Sequence, residues 1–70
     1  MIDMKQTGER ISRLRQKKRL TQVTLAARLG ISSQAISKWE RGLSFPDVSR
    51  LDELAELLGV TVTYILTGNS

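Results

Sequence analysis

Between Thr21 and Gly42, two short helical segments each carry their own start and stop signals and are joined by only Gly30, Ile31 and Ser32. Thr21 is placed to cap Gln22 to Leu29, its hydroxyl facing amides that a helix start leaves without partners, and Gly30 suits a left-handed stop. Ser32 repeats the cap for Ser33 to Arg41, and Gly42 repeats the stop. So short a connection forces a sharp corner. Two helices crossing at such a corner need a small residue where their axes approach, a glycine-type turn and apolar contacts on both arms. Ala26, Gly30 and the set Leu25, Leu29, Ile31, Ile36 and Trp39 meet those needs in register. An ordinary helical hairpin would not require them to coincide.

The rest of the chain reads as three more helices. Thr7 is expected to cap the first, with Ile11 and Leu14 three apart on one side and Arg10, Arg13, Arg15, Lys17 and Lys18 on the others. In the second helix, Val23, Leu25, Ala26 and Leu29 form the expected inward stripe. Pro46 holds Phe45 extended, so Leu43 to Pro46 is a loop, and Asp47 then caps Val48 to Leu58, with Leu51, Leu54, Ala55 and Leu58 inward. Gly59 ends that helix, and Thr61 caps a last one carrying Val62, Ile65 and Leu66 before Gly68. No strand pattern, repeat or linker interrupts the series. The expected fold is all-α, a compact five-helix bundle in one domain over residues 1–70, with its core at about 7–68.

Composition narrows the function. In 70 residues with 40% apolar content there is no cysteine and no histidine, so no disulfide framework, thiolate or imidazole metal site, or cofactor is expected. Catalysis is a poor fit for the same reason. The acids Asp52, Glu53 and Glu56 lie on one helix flank, as solvated charges commonly do. No stretch reaches the roughly 20 apolar residues that cross a bilayer, and the first helix lacks a wide apolar face for a membrane surface. The lack of cysteine is compatible with a reducing cytoplasm, the expected location. Residues 1–41 hold ten of the eleven Lys and Arg against Asp3, Glu9 and Glu40, a net of +7, whereas residues 42–70 are net −3. That asymmetry points the basic part at a polyanion.

The run TQVTLAARLGISSQAISKWERG, followed by PDVSRLDELAELLGVTVTYILTG, resembles the Cro and phage-repressor helix-turn-helix family, often called XRE-type, over about residues 7–68. The resemblance implies a lambda-repressor-like domain whose third helix enters the major groove of double-stranded DNA. It implies a sequence-specific transcriptional regulator, a repressor in the first instance. Thr24 departs from the pattern. Relatives often carry an acid there that completes a capping box with the Thr21 position, a loss worth part of ~1 kcal/mol.

On the third helix, Ile36 and Trp39 point inward, which leaves Ser33, Gln34, Ser37 and Lys38 on or beside the opposite face. Gln pairs bidentately with an adenine edge, Ser donates or accepts, and Lys reaches guanine or a phosphate. The resemblance assigns the same four positions to base contact. Gln22 opens the second helix, where partial positive charge suits a phosphate, and the matching Gln of the family clamps the DNA backbone. Arg41, Lys17, Lys18 and Arg19 are further phosphate candidates by charge and position. Arg15 and Glu40 resemble an ion pair that ties the first helix to the third in family members. Trp39, three residues from Ile36, belongs to the core rather than to a base-stacking surface.

Val62, Tyr64, Ile65 and Leu66 crowd the last helix with more apolar surface than one face needs, and some of it is expected to meet a second copy. The resemblance also favours a homodimer on two half-sites of an inverted repeat. The competing reading is a module whose main partner is another protein, such as an antitoxin or the DNA-binding part of a larger regulator with an effector domain outside this chain.

Overall fold

The computed structural model describes residues 2–69 as five helices: α1 Met4–Lys17, α2 Gln22–Leu29, α3 Ser33–Glu40, α4 Val48–Leu58 and α5 Val62–Thr67. Met1 and Ser70, the outer limits of the expected domain, lie outside the described residues. No strand occurs among them. The signals read from Thr21, Ser32 and Thr61 operate locally, since each hydroxyl accepts from the amide three residues on, at 3.0, 3.3 and 3.0 Å. Each such cap contributes about 1 kcal/mol to a helix too short to hold itself together.

α1 departs from expectation. It begins a turn earlier, because Asp3 rather than Thr7 caps it, accepting from the Gln6 amide at 2.9 Å. Thr7 is instead 1% exposed inside the helix, and its hydroxyl donates to the Leu66 carbonyl at 3.3 Å. Asp47 stands at the N-cap of α4 as expected but makes no side-chain capping bond. Val23, expected inward, is 67% exposed. At about 100° per residue it sits roughly 140° around α2 from the mean direction of Leu25 and Leu29, so its spacing of three from Ala26 does not bring it into the stripe.

One core joins all five helices: Ile11 from α1, Leu25, Ala26 and Leu29 from α2, Ile36 and Trp39 from α3, Leu54, Ala55 and Leu58 from α4, and Ile65 from α5. Leu51 is only half-buried at its edge. The crowding expected on α5 is largely absorbed here. Ile65 is fully buried and Val62, Tyr64 and Leu66 are half-buried, because α5 packs on both α1 and α4. Besides Val23 and the N-terminal Ile2 and Met4, the exposed large apolar side chains lie in the α3–α4 segment, at Leu43 (61%), Phe45 (39%) and Val48 (84%).

Basic side chains also close the bundle. A helix leaves its last carbonyls unpaired, and here side chains from other helices reach two of those ends. Arg50 on α4 donates to the Leu29 carbonyl at 2.6 Å, and Arg10 on α1 donates to the Ile65 carbonyl at 2.7 Å. Part of the positive charge counted in the sequence therefore also serves the fold.

Candidate nucleic-acid interface

The corner between α2 and α3 places the site. Gly30 takes φ +70, and its amide and that of Ile31 return to the Ala27 and Ala26 carbonyls, so α2 stops within one residue. A Cβ at Gly30 would meet nothing within 4 Å, so glycine is required there for its backbone and not for space. Gly8 is the reverse case. It lies in regular helix, but a Cβ there would come 2.1 Å from the Trp39 carbonyl oxygen, so α1 and α3 touch backbone to backbone.

With Ile36 and Trp39 buried, α3 turns its other side out. Gln34 and Lys38, about 40° apart by helical rotation and both exposed, project furthest. Ser33 and Ser37 flank them and are half-buried. Arg41 forms the C-cap and folds back over α3, its Nε donating to the Ser37 carbonyl at 3.3 Å and to Ser37 Oγ at 3.2 Å. A positive head is thus held beside the reading face.

Behind that face lies a buried polar cluster. Arg15 Nε donates to Glu40 Oε2 at 2.6 Å and Arg15 Nη2 to Glu40 Oε1 at 3.0 Å, a two-pronged pair with side chains only 13% and 7% exposed. Arg15 Nη1 donates to the Leu20 carbonyl at 2.9 Å. The hydrogen bond to Glu40 raises the Arg15 guanidinium above its ordinary range, outweighing the opposing effect of burial. A folded-state pKa raised this way gives stability that is complete below the unfolded value and lost only in strong alkali. The pair therefore does not weaken through Arg15 near neutrality.

Gln22 joins the same cluster, its Nε2 donating to Glu40 Oε1 at 3.0 Å. This bond escaped the sequence reading because Glu40 lies 18 residues away, and a Gln at a helix start gives no sign of it. One amide hydrogen of Gln22 is committed to Glu40, which leaves the second, together with the unpaired amides of the first turn of α2, for a phosphate.

The remaining cations divide. Arg19 is exposed in the turn before α2 and takes φ +58, a left-handed conformation uncommon for a side chain of its size. Lys17 and Lys18 do not join the α2–α3 face. Lys17 lines a groove between α1 and α5 with Arg10, Arg13 and Tyr64. Lys18 lies against Gly59 at the end of α4, where its Nζ would be 3.1 Å from an added Cβ. Helix rotation carries Lys17 away from the side of α1 that meets α3, and Lys18, the C-cap just past the end of α1, turns to α4.

Five helices, a capped corner and a polar helix presented outward between cations define a helix-turn-helix domain. The chain matches the helix-turn-helix family over residues 11–65 and belongs to it. An uncharacterized HTH-type transcriptional regulator of Sinorhizobium fredii is 43% identical over 67 residues, covering 94% of this chain and 87% of the relative. The HTH-type transcriptional activator BcrR of Enterococcus faecalis is 40% identical over 61 residues, covering 87% of this chain but 30% of the activator. Other relatives, such as the YonR regulator of Bacillus subtilis, are spanned over 56% of their length. Among solved structures, the P22 c2 repressor in complex with a synthetic operator superposes with a TM-score of 0.86 at 36% identity, over 90% of this chain and 96% of that one. No helix among the described residues is long and apolar enough to cross a membrane.

Proposed function

We propose that this domain binds double-stranded DNA sequence-specifically as a transcriptional regulator, in the first instance a repressor, with α3 in the major groove. The observation that carries the reading is the outward face of α3. Gln34 and Lys38 project between flanking serines on a helix whose back is fixed to α1 and to α2, and the likeness to an operator-bound repressor supports it. Gln34 and Lys38 read base edges, with Ser33 and Ser37 contributing where the groove closes on them. Gln22, Arg19 and Arg41 hold phosphates and set the register. Relatives named as transcriptional regulators favour this reading over an antitoxin.

The operator is an inverted repeat bound by two copies. The domain measures 29 × 23 × 22 Å, so two copies on half-sites about one DNA turn apart, roughly 34 Å, come within reach of each other. The apolar side chains open to that meeting are Leu43, Phe45 and Val48, which directly follow the reading helix.

The division of labour is tested with two variants. Gln34→Ala is expected to cost about 1–3 kcal/mol at one base position and to relax the preference there. Gln22→Ala is expected to weaken binding to every sequence alike and, because its amide is neutral and releases no counterion, to leave the salt dependence of log K unchanged. Affinities measured against a set of single-base operator variants separate the two patterns. Uniform loss from both, with the preferred site unchanged, would contradict the assignment of Gln34.

A further inference from the structure

α1 carries a second cationic surface that the DNA reading leaves unused. Arg10, Arg13 and Lys17 recur at i, i+3 and i+7 and fall within about 60° of one another around the helix. Gly8, Ile11 and Arg15, the side of α1 turned toward α3, lie roughly 160° away. The helix itself therefore stands between these three cations and the proposed reading face. They border a groove of about 510 Å³ between α1 and α5, with Leu14 and the half-buried Tyr64 among its lining residues. Arg10 is anchored at one end by its bond to the Ile65 carbonyl. Among the described residues, Arg13 and Lys17 have no ion-pair or side-chain hydrogen-bond partner. The one acid of α1, Glu9, lies a turn before Arg13 on the same helix and forms no ion pair with it.

We propose that this groove docks an acidic segment of another protein, one that carries an apolar side chain, while α3 remains free to hold DNA. Charge complementarity selects the sign. Three cations gathered over two helical turns repel one another and concentrate a positive field at one place, which an acidic partner relieves. The lining selects the class. A phosphate backbone would satisfy the cations and leave Leu14 and Tyr64 in water, whereas a peptide with one apolar anchor fills the floor and meets the rim together. Tyr and Arg are among the side chains enriched at the energetic centres of protein interfaces. The proposal stands apart from the DNA reading, since none of its residues belongs to the α2–α3 face.

The test uses ¹⁵N-labelled domain, free and saturated with its selected duplex, titrated with a short Glu/Asp peptide bearing a single central Phe. The duplex covers the α3 face, so what remains accessible is the groove. The expected result is saturable amide shifts confined to the α1 and α5 residues that line it, the same with and without DNA. Arg13→Glu is expected to weaken the peptide about tenfold while leaving operator affinity within about twofold, because an exposed charge pair is worth little beyond its own contact. A peptide with Ser in place of Phe is expected to bind several-fold more weakly. Shifts centred on α2 and α3, displacement of the duplex, equal binding by the Ser peptide or indifference to Arg13→Glu would each overturn the proposal. So would nonspecific duplex perturbing the groove amides in place of the peptide. A domain that fails to bind any duplex leaves the titration of the free protein as the readout, so the two readings fail separately.

Discussion

Gly8→Ala is expected to lower the stability of the domain by about 3 kcal/mol, with a fall of roughly 15 °C in the midpoint of thermal unfolding for a chain this small. Alanine ordinarily favours a helix interior over glycine by about 1 kcal/mol, so local propensity predicts the opposite sign. Sterics decide it. The added carbon would stand 2.1 Å from the Trp39 carbonyl oxygen and 3.0 Å from the Glu40 backbone, atoms that cannot rotate aside as a side chain would. α3 must move by about an ångström from α1, and the move loosens both Trp39 in the core and the Arg15–Glu40 pair behind the reading face. DNA affinity is expected to fall with stability. Gly30→Ala is the informative contrast, since that carbon enters open space and the cost is only the left-handed conformation, about 1–2 kcal/mol. Thermal or denaturant unfolding of the two variants separates them. A stabilised Gly8→Ala would show that α1 and α3 are further apart than described.

The second large effect is expected at Glu40. Glu40→Ala removes the acceptor of two Arg15 bonds and of the Gln22 amide at once, leaving a guanidinium that is nearly enclosed and held otherwise only by the Leu20 carbonyl. Removing one member of a buried pair costs about 3–5 kcal/mol, and the slight exposure of this pair places it at the lower end. Replacing both members, as Arg15→Met with Glu40→Leu, is expected to recover much of that loss, since two well-packed apolar chains carry no stranded charge. A double-mutant cycle by denaturant unfolding measures the coupling. A single-variant cost below about 1 kcal/mol would mean that the pair behaves like an exposed one. Glu40→Ala also frees the Gln22 side chain, so binding weakens without a change of preferred site.

Much of this was legible because the corner is written in local chemistry. Thr21, Ser32 and Thr61 cap through bonds three residues long, and the glycine stops need only their own backbone, so the bounds of α2 and α5, the start of α3 and the end of α4 follow from neighbours in sequence. α3 ends one residue short of expectation, with Arg41 as its cap. What escaped depends on distant contacts. Asp3 and Thr7 are both able to cap α1, and the choice turns on Thr7 meeting Leu66 at the far end of the chain. Val23 falls outside the stripe expected of Val23, Leu25, Ala26 and Leu29, because rotation from Leu25 and Leu29 turns it to solvent. For the site, residue type identified the reading face of α3, but it could not divide the cations. Arg10 and Arg50 close helix ends, Lys17 and Lys18 turn toward α5 and α4, and of the phosphate candidates Arg19 stays before the start of α2 and Arg41 at the end of α3.

Selection of bound sequences from a random duplex pool at near-physiological salt, followed by titration of the winner at several salt concentrations, tests the central claim most directly. The expected result is enrichment of an inverted repeat with half-sites about one helical turn apart, bound about 10³-fold or more above random duplex. Failure to enrich, with only weak binding that fades as salt rises, would contradict sequence-specific reading by α3 and leave a domain that recognises charge alone.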